Sequence, residues 1–124
     1  MTQEEKDFLI RDLCARLPYK VKVQDTYYKS LEPTAIWLID INAQNVRMFA
    51  DEGYQSIEYI KPYLFPLSSM TEEQSIEYRN LCERYCPAST YSMEILDWFH
   101  KNHFDYRGLI PMGLAIDATG LNIY

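Results

Sequence analysis

Within its first 24 residues the chain changes hydrophobic period, and that change restricts what it can fold into. Phe8, Leu9, Leu13 and Leu17 recur at the spacing of one helical face, with Lys6, Asp7, Arg11 and Asp12 on other faces. Thr2 and Glu5 have the spacing of a capping box, in which each side chain satisfies a backbone N–H of the first turn. Pro18 has no N–H to continue the ladder, so the spacing predicts a helix over about residues 3–16. Immediately afterwards Tyr19, Val21 and Val23 alternate with Lys20, Lys22 and Gln24, the pattern of a strand with one wet face. A one-faced helix and a one-faced strand must share an apolar layer, which is the α+β class.

The next segments extend that reading. Residues 25–33 form a connection ending at Pro33, and TAIWLIDI, residues 34–41, is nearly all apolar and reads as a central strand. A turn at Asn42–Asn45, a returning strand at Val46–Phe49, a turn at Asp51, Glu52 and Gly53, and a fourth strand at Ser56–Ile60 stopped by Pro62 follow. Residues 19–62 are thus expected to form an antiparallel meander of three or four strands, or a small SH3-like barrel. After an irregular passage to Ser69, Thr71 and Gln74 repeat the capping-box spacing. A helix is expected over 72–85, with Tyr78, Leu81, Cys82 and Tyr85 on one stripe and Pro87 as its break. A third helix is expected from Ser89–Ser92 to about Phe104, with Ile95, Leu96, Phe99 and His103 on one face. The tail carries Leu109, Ile110, Met112, Leu114 and Ile116 and is too apolar to be solvated, so it folds back or covers a partner, self-association included.

The 124 residues fit a single domain, 1–124, large enough to bury a core without disulfides or metal. The net charge of −6 argues against a broad nucleic-acid footprint. No segment has a signal-peptide pattern or an apolar run long enough for a membrane span. Cys14, Cys82 and Cys86 are an odd set at uneven spacing, unlike a disulfide framework, so a cytoplasmic setting with free thiols is expected. The 11 tyrosines stand out, since tyrosine joins a large apolar ring to a polar tip suited to core edges and interfaces.

Three stretches, LPYKVKV, IEYIKPYLFPLSSMTEEQ and HFDYRGLIPMGLAIDAT, resemble a group of small proteins encoded in gut Bacteroides genomes, often within prophages and other mobile elements. The KPYLFPLSSMTEE and DYRGLI segments are the specific parts, and residues 25–56 carry least of the resemblance. It brings a setting and no functional residue: it implies a cytoplasmic accessory protein of a phage or mobile element.

Few residues form a chemical constellation. Cys82, Cys86, His100 and His103 have the pattern C-x3-C-x13-H-x2-H, close to a zinc-finger spacing. Against that, the Cys pair falls inside an expected helix and the His pair is one residue short. The bland alternative makes Cys82 a small core residue and both histidines caps at a helix C-terminus, where protonation is favoured. Asp97 and His100 have the spacing of a base and its orienter or, more plainly, of a surface ion pair. Lys20, Lys22 and Lys29 with Tyr27 and Tyr28 form the one basic patch with aromatics, readable as a single-strand binder or as a solvated strand face. Arg107, next to Gly108, is a candidate anion ligand or a partner for a nearby acid. No catalytic, cofactor-binding or metal residue is assigned. The favoured expectation is a non-enzymatic protein-binding factor presenting an acidic, tyrosine-rich surface to a protein partner such as a nucleic-acid-handling enzyme. The alternatives are a small enzyme or ligand-binding domain using the His100/His103 region, and weak nucleic-acid binding through the Lys20–Lys29 strand.

Overall fold

The computed structural model describes residues 1–28, 32–48, 54–85 and 92–124. It opens with helix α1 (Gln3–Arg16), and both bonds of the capping box are present, Glu5 N to Thr2 Oγ1 and Thr2 N to Glu5 Oε1, each 3.1 Å. Pro18 lies in a 3-10 turn over Leu17–Tyr19, and Lys20 takes a left-handed φ of 57° that turns the chain into the sheet. Strand β1 (Lys22–Asp25) therefore starts three residues later than the alternation from Tyr19 suggests.

The remaining strands are β2 (Thr34–Asp40), β3 (Asn45–Met48), β4 (Tyr54–Ser56), β5 (Ile60–Pro66), β6 (Phe104–Asp105) and β7 (Ile116–Asp117). Helices α2 (Glu72–Tyr85) and α3 (Met93–Lys101) lie between β5 and β6. The class is α+β, with a mixed sheet of seven strands among the described residues rather than a meander of three or four. The order β4-β3-β2-β1-β5-β6 is a path with two ends, not the closed SH3-like alternative, and β7 pairs β5 off this path. β1 to β5 pair antiparallel, while β6 and β7 both run parallel to β5.

The largest departure is β5. The run Ser56–Ile60 is not one strand: it spans the last residue of β4, a 3-10 turn over Ile57–Tyr59 and the first residue of β5. Pro62 lies inside β5, opposite Val23, rather than stopping a strand, and β5 runs on to Pro66. A proline is tolerated in a strand where the ladder does not require its N–H. Continuing to Pro66 gives the tail something to pair with: Phe65 N donates to His103 O at 2.8 Å, and Ala118 N donates to Leu64 O at 2.8 Å. Helix α3 ends at Lys101 rather than Phe104, because His103 has a left-handed φ of 61° and Phe104 becomes a strand residue opposite Phe65.

Two apolar clusters result. The main one joins Leu9, Ile10 and Leu13 of α1 to Val21, Val23, Ile36, Val46, Met48 and Leu64 of the sheet, and to Leu109, Leu114 and Ala115 of the tail. The tail thus folds back over the domain, and Leu109 is fully buried. A fully buried leucine of this kind contributes about 1.5–3 kcal/mol. The second cluster is aromatic: Ile95 and Phe99 of α3 and Phe104 pack with Phe65, Tyr78, Leu81 and Cys82. No described helix is long and apolar enough to cross a membrane.

Candidate functional site

Two kinds of site are worth separating, a buried polar cluster and an exposed aromatic surface. The buried one grows from α1. Asp12 and Arg16, four residues apart, share a helical face, and the packing of α1 on the sheet and β6 turns that face inward. Asp12 is therefore not on an outer face as its polarity suggests; both side chains are 0% exposed. Arg16 Nε donates to Asp12 Oδ2 and Nη2 to the Phe104 carbonyl, each at 2.7 Å. Arg107 Nε approaches Asp12 Oδ1 to 3.3 Å, which answers the question of what this arginine pairs with. Arg107 Nε also donates to the Tyr106 hydroxyl at 3.1 Å, and that hydroxyl lies 2.6 Å from His100 Nε2.

His100 is thus bound to Tyr106 rather than to Asp97, which is exposed on α3. Burial lowers the His100 pKa, and the Arg16 charge acts the same way. His103 points elsewhere: its ring stacks on Tyr124, centroids 3.6 Å apart and planes 10° apart. Tyr124 exposes part of its ring, but its hydroxyl is inside, accepting from Lys22 N at 2.9 Å and donating to Tyr63 O at 2.8 Å. Burial pushes the Tyr124 pKa up to about 12. Burial also brings His103 down from 6.5 to about 4, with Arg16 and Lys22 adding to the effect. The helix-end reading, with protonated histidines, is not favoured: burial lowers the pKa of both rings, and the Arg16 charge acts in the same direction on each.

This has a consequence in acid. The unfolded chain takes up the His103 proton more readily than the folded chain does, so the contribution is fully present above pH 6.5 and is lost as pH falls toward about 4. Asparagine tolerates the left-handed backbone and does not titrate. Thermal melting across this pH range is expected to fall less steeply for His103→Asn than for the wild type; parallel curves would contradict it.

The zinc pattern does not assemble. Cys82 packs in the aromatic cluster, Cys86 lies outside the described residues, and the two histidines face Tyr106 and Tyr124. No group of three or more His, Cys, Asp or Glu side chains converges among the described residues. Cys14 is exposed on α1, and partial desolvation raises its pKa, the opposite of an activated thiol. In the lysine patch, Lys22 Nζ donates to the Ile123 carbonyl at 2.8 Å, so this cation is occupied within the chain; Lys29 lies outside the described residues.

The exposed surface is built by Asp25. This buried residue ends β1, and its Oδ1 accepts from the N–H of Tyr27 at 2.9 Å and of Tyr28 at 3.3 Å. Oδ2 accepts from Gln55 Nε2 at 2.9 Å, tying the turn to β4. The carboxylate thus fixes a tight Asx-type turn that holds two tyrosines outward. Tyr27 is 60% and Tyr28 52% exposed, yet they are not loose. Their rings meet edge to face with centroids 4.8 Å apart, and Tyr27 meets Tyr59 at 5.2 Å. The neighbouring Glu58, which also pairs with Lys6 Nζ at 3.9 Å, raises the Tyr59 pKa. Composition pointed to tyrosines as interface residues; Asp25, which organises these, was not singled out, although an Asp two residues before a turn residue is a readable signal.

Elsewhere on the surface, a cavity of about 370 Å³ is lined by Asp7, Ile10, Arg11, Cys14 and Ile41, away from both histidines. Comparison with known proteins gives no match: no family model, curated protein or solved structure matches the chain.

Proposed function

We propose that this chain is a non-enzymatic protein-binding factor that docks through the Tyr27–Tyr28–Tyr59 corner. The observation that carries the reading is the pair of hydrogen bonds that the Tyr27 and Tyr28 amides donate to Asp25 Oδ1, which fixes the turn whose exposed rings pack on each other and on Tyr59 before any partner arrives. Ordering side chains at an interface costs about 0.5–1.5 kcal/mol each, so rings that are already ordered bind more tightly for the same contact. Tyrosine is among the residues that dominate interface energetics. The net charge of −6 favours a basic partner, and a nucleic-acid-handling protein is such a partner. The setting implied by the sequence resemblance, an accessory protein of a phage or mobile element, is consistent with a small factor that acts by binding.

The test is affinity capture from a lysate of the encoding organism, with and without nuclease. The tagged wild type is expected to retain one stoichiometric protein that survives nuclease. Tyr27→Ser/Tyr28→Ser, which alters exposed side chains only, is expected to bind roughly a hundredfold more weakly. Equal retention by the two chains, or a catch that disappears with nuclease, would count against the proposal. The latter outcome would favour nucleic-acid binding through the lysine strand.

A further inference from the structure

A second exposed surface lies on the outer face of the sheet. Ile36, Val46 and Met48 turn inward to the main core, so their neighbours Trp37 and Arg47 face out. The register places Tyr54 of β4 directly across from Arg47 of β3, and an irregularity between Ile36 and Leu38 brings Trp37 to the same group. Arg47 Cζ lies 3.9 Å from the Tyr54 ring centroid and 5.7 Å from that of Trp37. The guanidinium is thus framed by two rings that are 52% and 43% exposed.

These cation–π contacts leave the positive charge of Arg47 unneutralised. Among the described residues it forms no ion pair, and its Nε is buried without a hydrogen-bond partner. Arg16 and Arg107, by contrast, both approach Asp12. Aromatic faces hold the guanidinium plane without using its in-plane N–H groups, and those groups match a carboxylate in paired fashion. The guanidinium also lies over Tyr54, which carries it toward β4, the end strand of the sheet path. An end strand can accept an extended peptide as a further strand.

We infer that the Trp37–Arg47–Tyr54 face binds an extended acidic peptide segment of a protein partner, with an Asp or Glu side chain on Arg47 and an apolar neighbour against Trp37 or Tyr54. A carboxylate, rather than a nucleic-acid backbone, is the ligand because a single framed arginine on a chain of net charge −6 does not supply the multiple cations that a phosphate backbone needs. This surface does not include Tyr27 or Tyr28, although Gln55, next to Tyr54 on β4, donates to the Asp25 that organises their turn.

The test is selection of peptides from a random display library on the full chain, followed by affinity measurement with the synthesised winners. Selected peptides are expected to carry an Asp or Glu next to an apolar residue. Arg47→Gln is expected to bind them roughly tenfold more weakly. Arg47→Lys, which keeps the charge and the side-chain stem, is also expected to weaken binding, because it lacks the planar fork. Unchanged melting of Arg47→Lys separates this loss from unfolding. Tyr27→Ser/Tyr28→Ser is expected to bind the same peptides as the wild type, so failure at one surface is distinguishable from failure at the other. Winners without acidic residues, winners that bind Arg47→Gln as well as wild type, or a library that yields no binder would each overturn the inference.

Discussion

Replacing Arg16 with alanine is expected to destabilise the fold by about 3–5 kcal/mol, because it leaves a buried carboxylate without its main partner. Asp12 is fully buried and its Oδ2 is bonded to Arg16 at 2.7 Å; only Arg107, 3.3 Å from Oδ1, would remain beside it. The Phe104 carbonyl would lose its donor as well, which couples α1 to β6. A domain of this size has about 5–15 kcal/mol in total, so the melting temperature is expected to fall by roughly 15 °C. The double variant Asp12→Leu/Arg16→Met removes both charges and restores apolar volume, and is expected to recover part of the loss. Full recovery is not expected, since the Phe104 carbonyl still lacks a donor. Thermal unfolding of the three variants decides this: a single variant as stable as wild type, or a double variant worse than Arg16→Ala, would contradict it.

The second large effect is expected at Asp105. Its carboxylate accepts the N–H groups of Gly108 at 3.0 Å, Leu109 at 2.9 Å and Ile110 at 2.9 Å, and the residue is buried. These bonds curl the chain after β6 so that Leu109 enters the main core. Asp105→Ala strands three donors, and an unsatisfied buried group costs about 1–3 kcal/mol. Partial rewetting of the turn limits the sum, so a loss of about 3 kcal/mol is expected. Asp105→Asn keeps one acceptor oxygen and is expected to lose less. Hydrogen exchange gives the local readout: the Leu109 and Ile110 amides are expected to exchange much faster in Asp105→Ala, and unchanged protection there would contradict the account.

Much of the architecture could be read from local chemistry. The bounds of α1 followed from Thr2, Glu5 and Pro18, and α2 opens with the second expected box, Gln74 N to Thr71 Oγ1 at 3.1 Å and Thr71 N to Gln74 Oε1 at 2.9 Å. The positions of β2 and β3 followed from their apolar runs. What could not be read depends on pairing over long sequence distances. Pro62 is a strand breaker by local rules, and only the approach of β1 and the tail places it within β5, while the run before it folds into a 3-10 turn at Ile57–Tyr59. β6 and β7 are two residues each, too short to have a period.

The candidate surfaces divide in the same way. Tyrosine enrichment pointed to an interface in general, while the corner at Tyr27 and Tyr28 depends on a carboxylate that ends β1 and on Tyr59, far along the chain. Asp12 and Arg16 have the spacing of an ordinary surface pair, and only tertiary packing buries them. Arg47 was not singled out, since its framing by Trp37 and Tyr54 comes from strand register. Among the lysines, Lys22 donates to the Ile123 carbonyl, a contact that no local pattern encodes.

Photo-crosslinking tests the protein-binding account most directly. A photoreactive phenylalanine analogue would be placed at Tyr28 and, as a control, at Glu83 on the exposed part of α2, with each chain irradiated in the encoding cells. The account predicts a single protein adduct from position 28, none from position 83, and loss of the adduct when Asp25 is replaced by alanine. Adducts of equal yield from both positions, an adduct made of nucleic acid, or none from position 28 would contradict it.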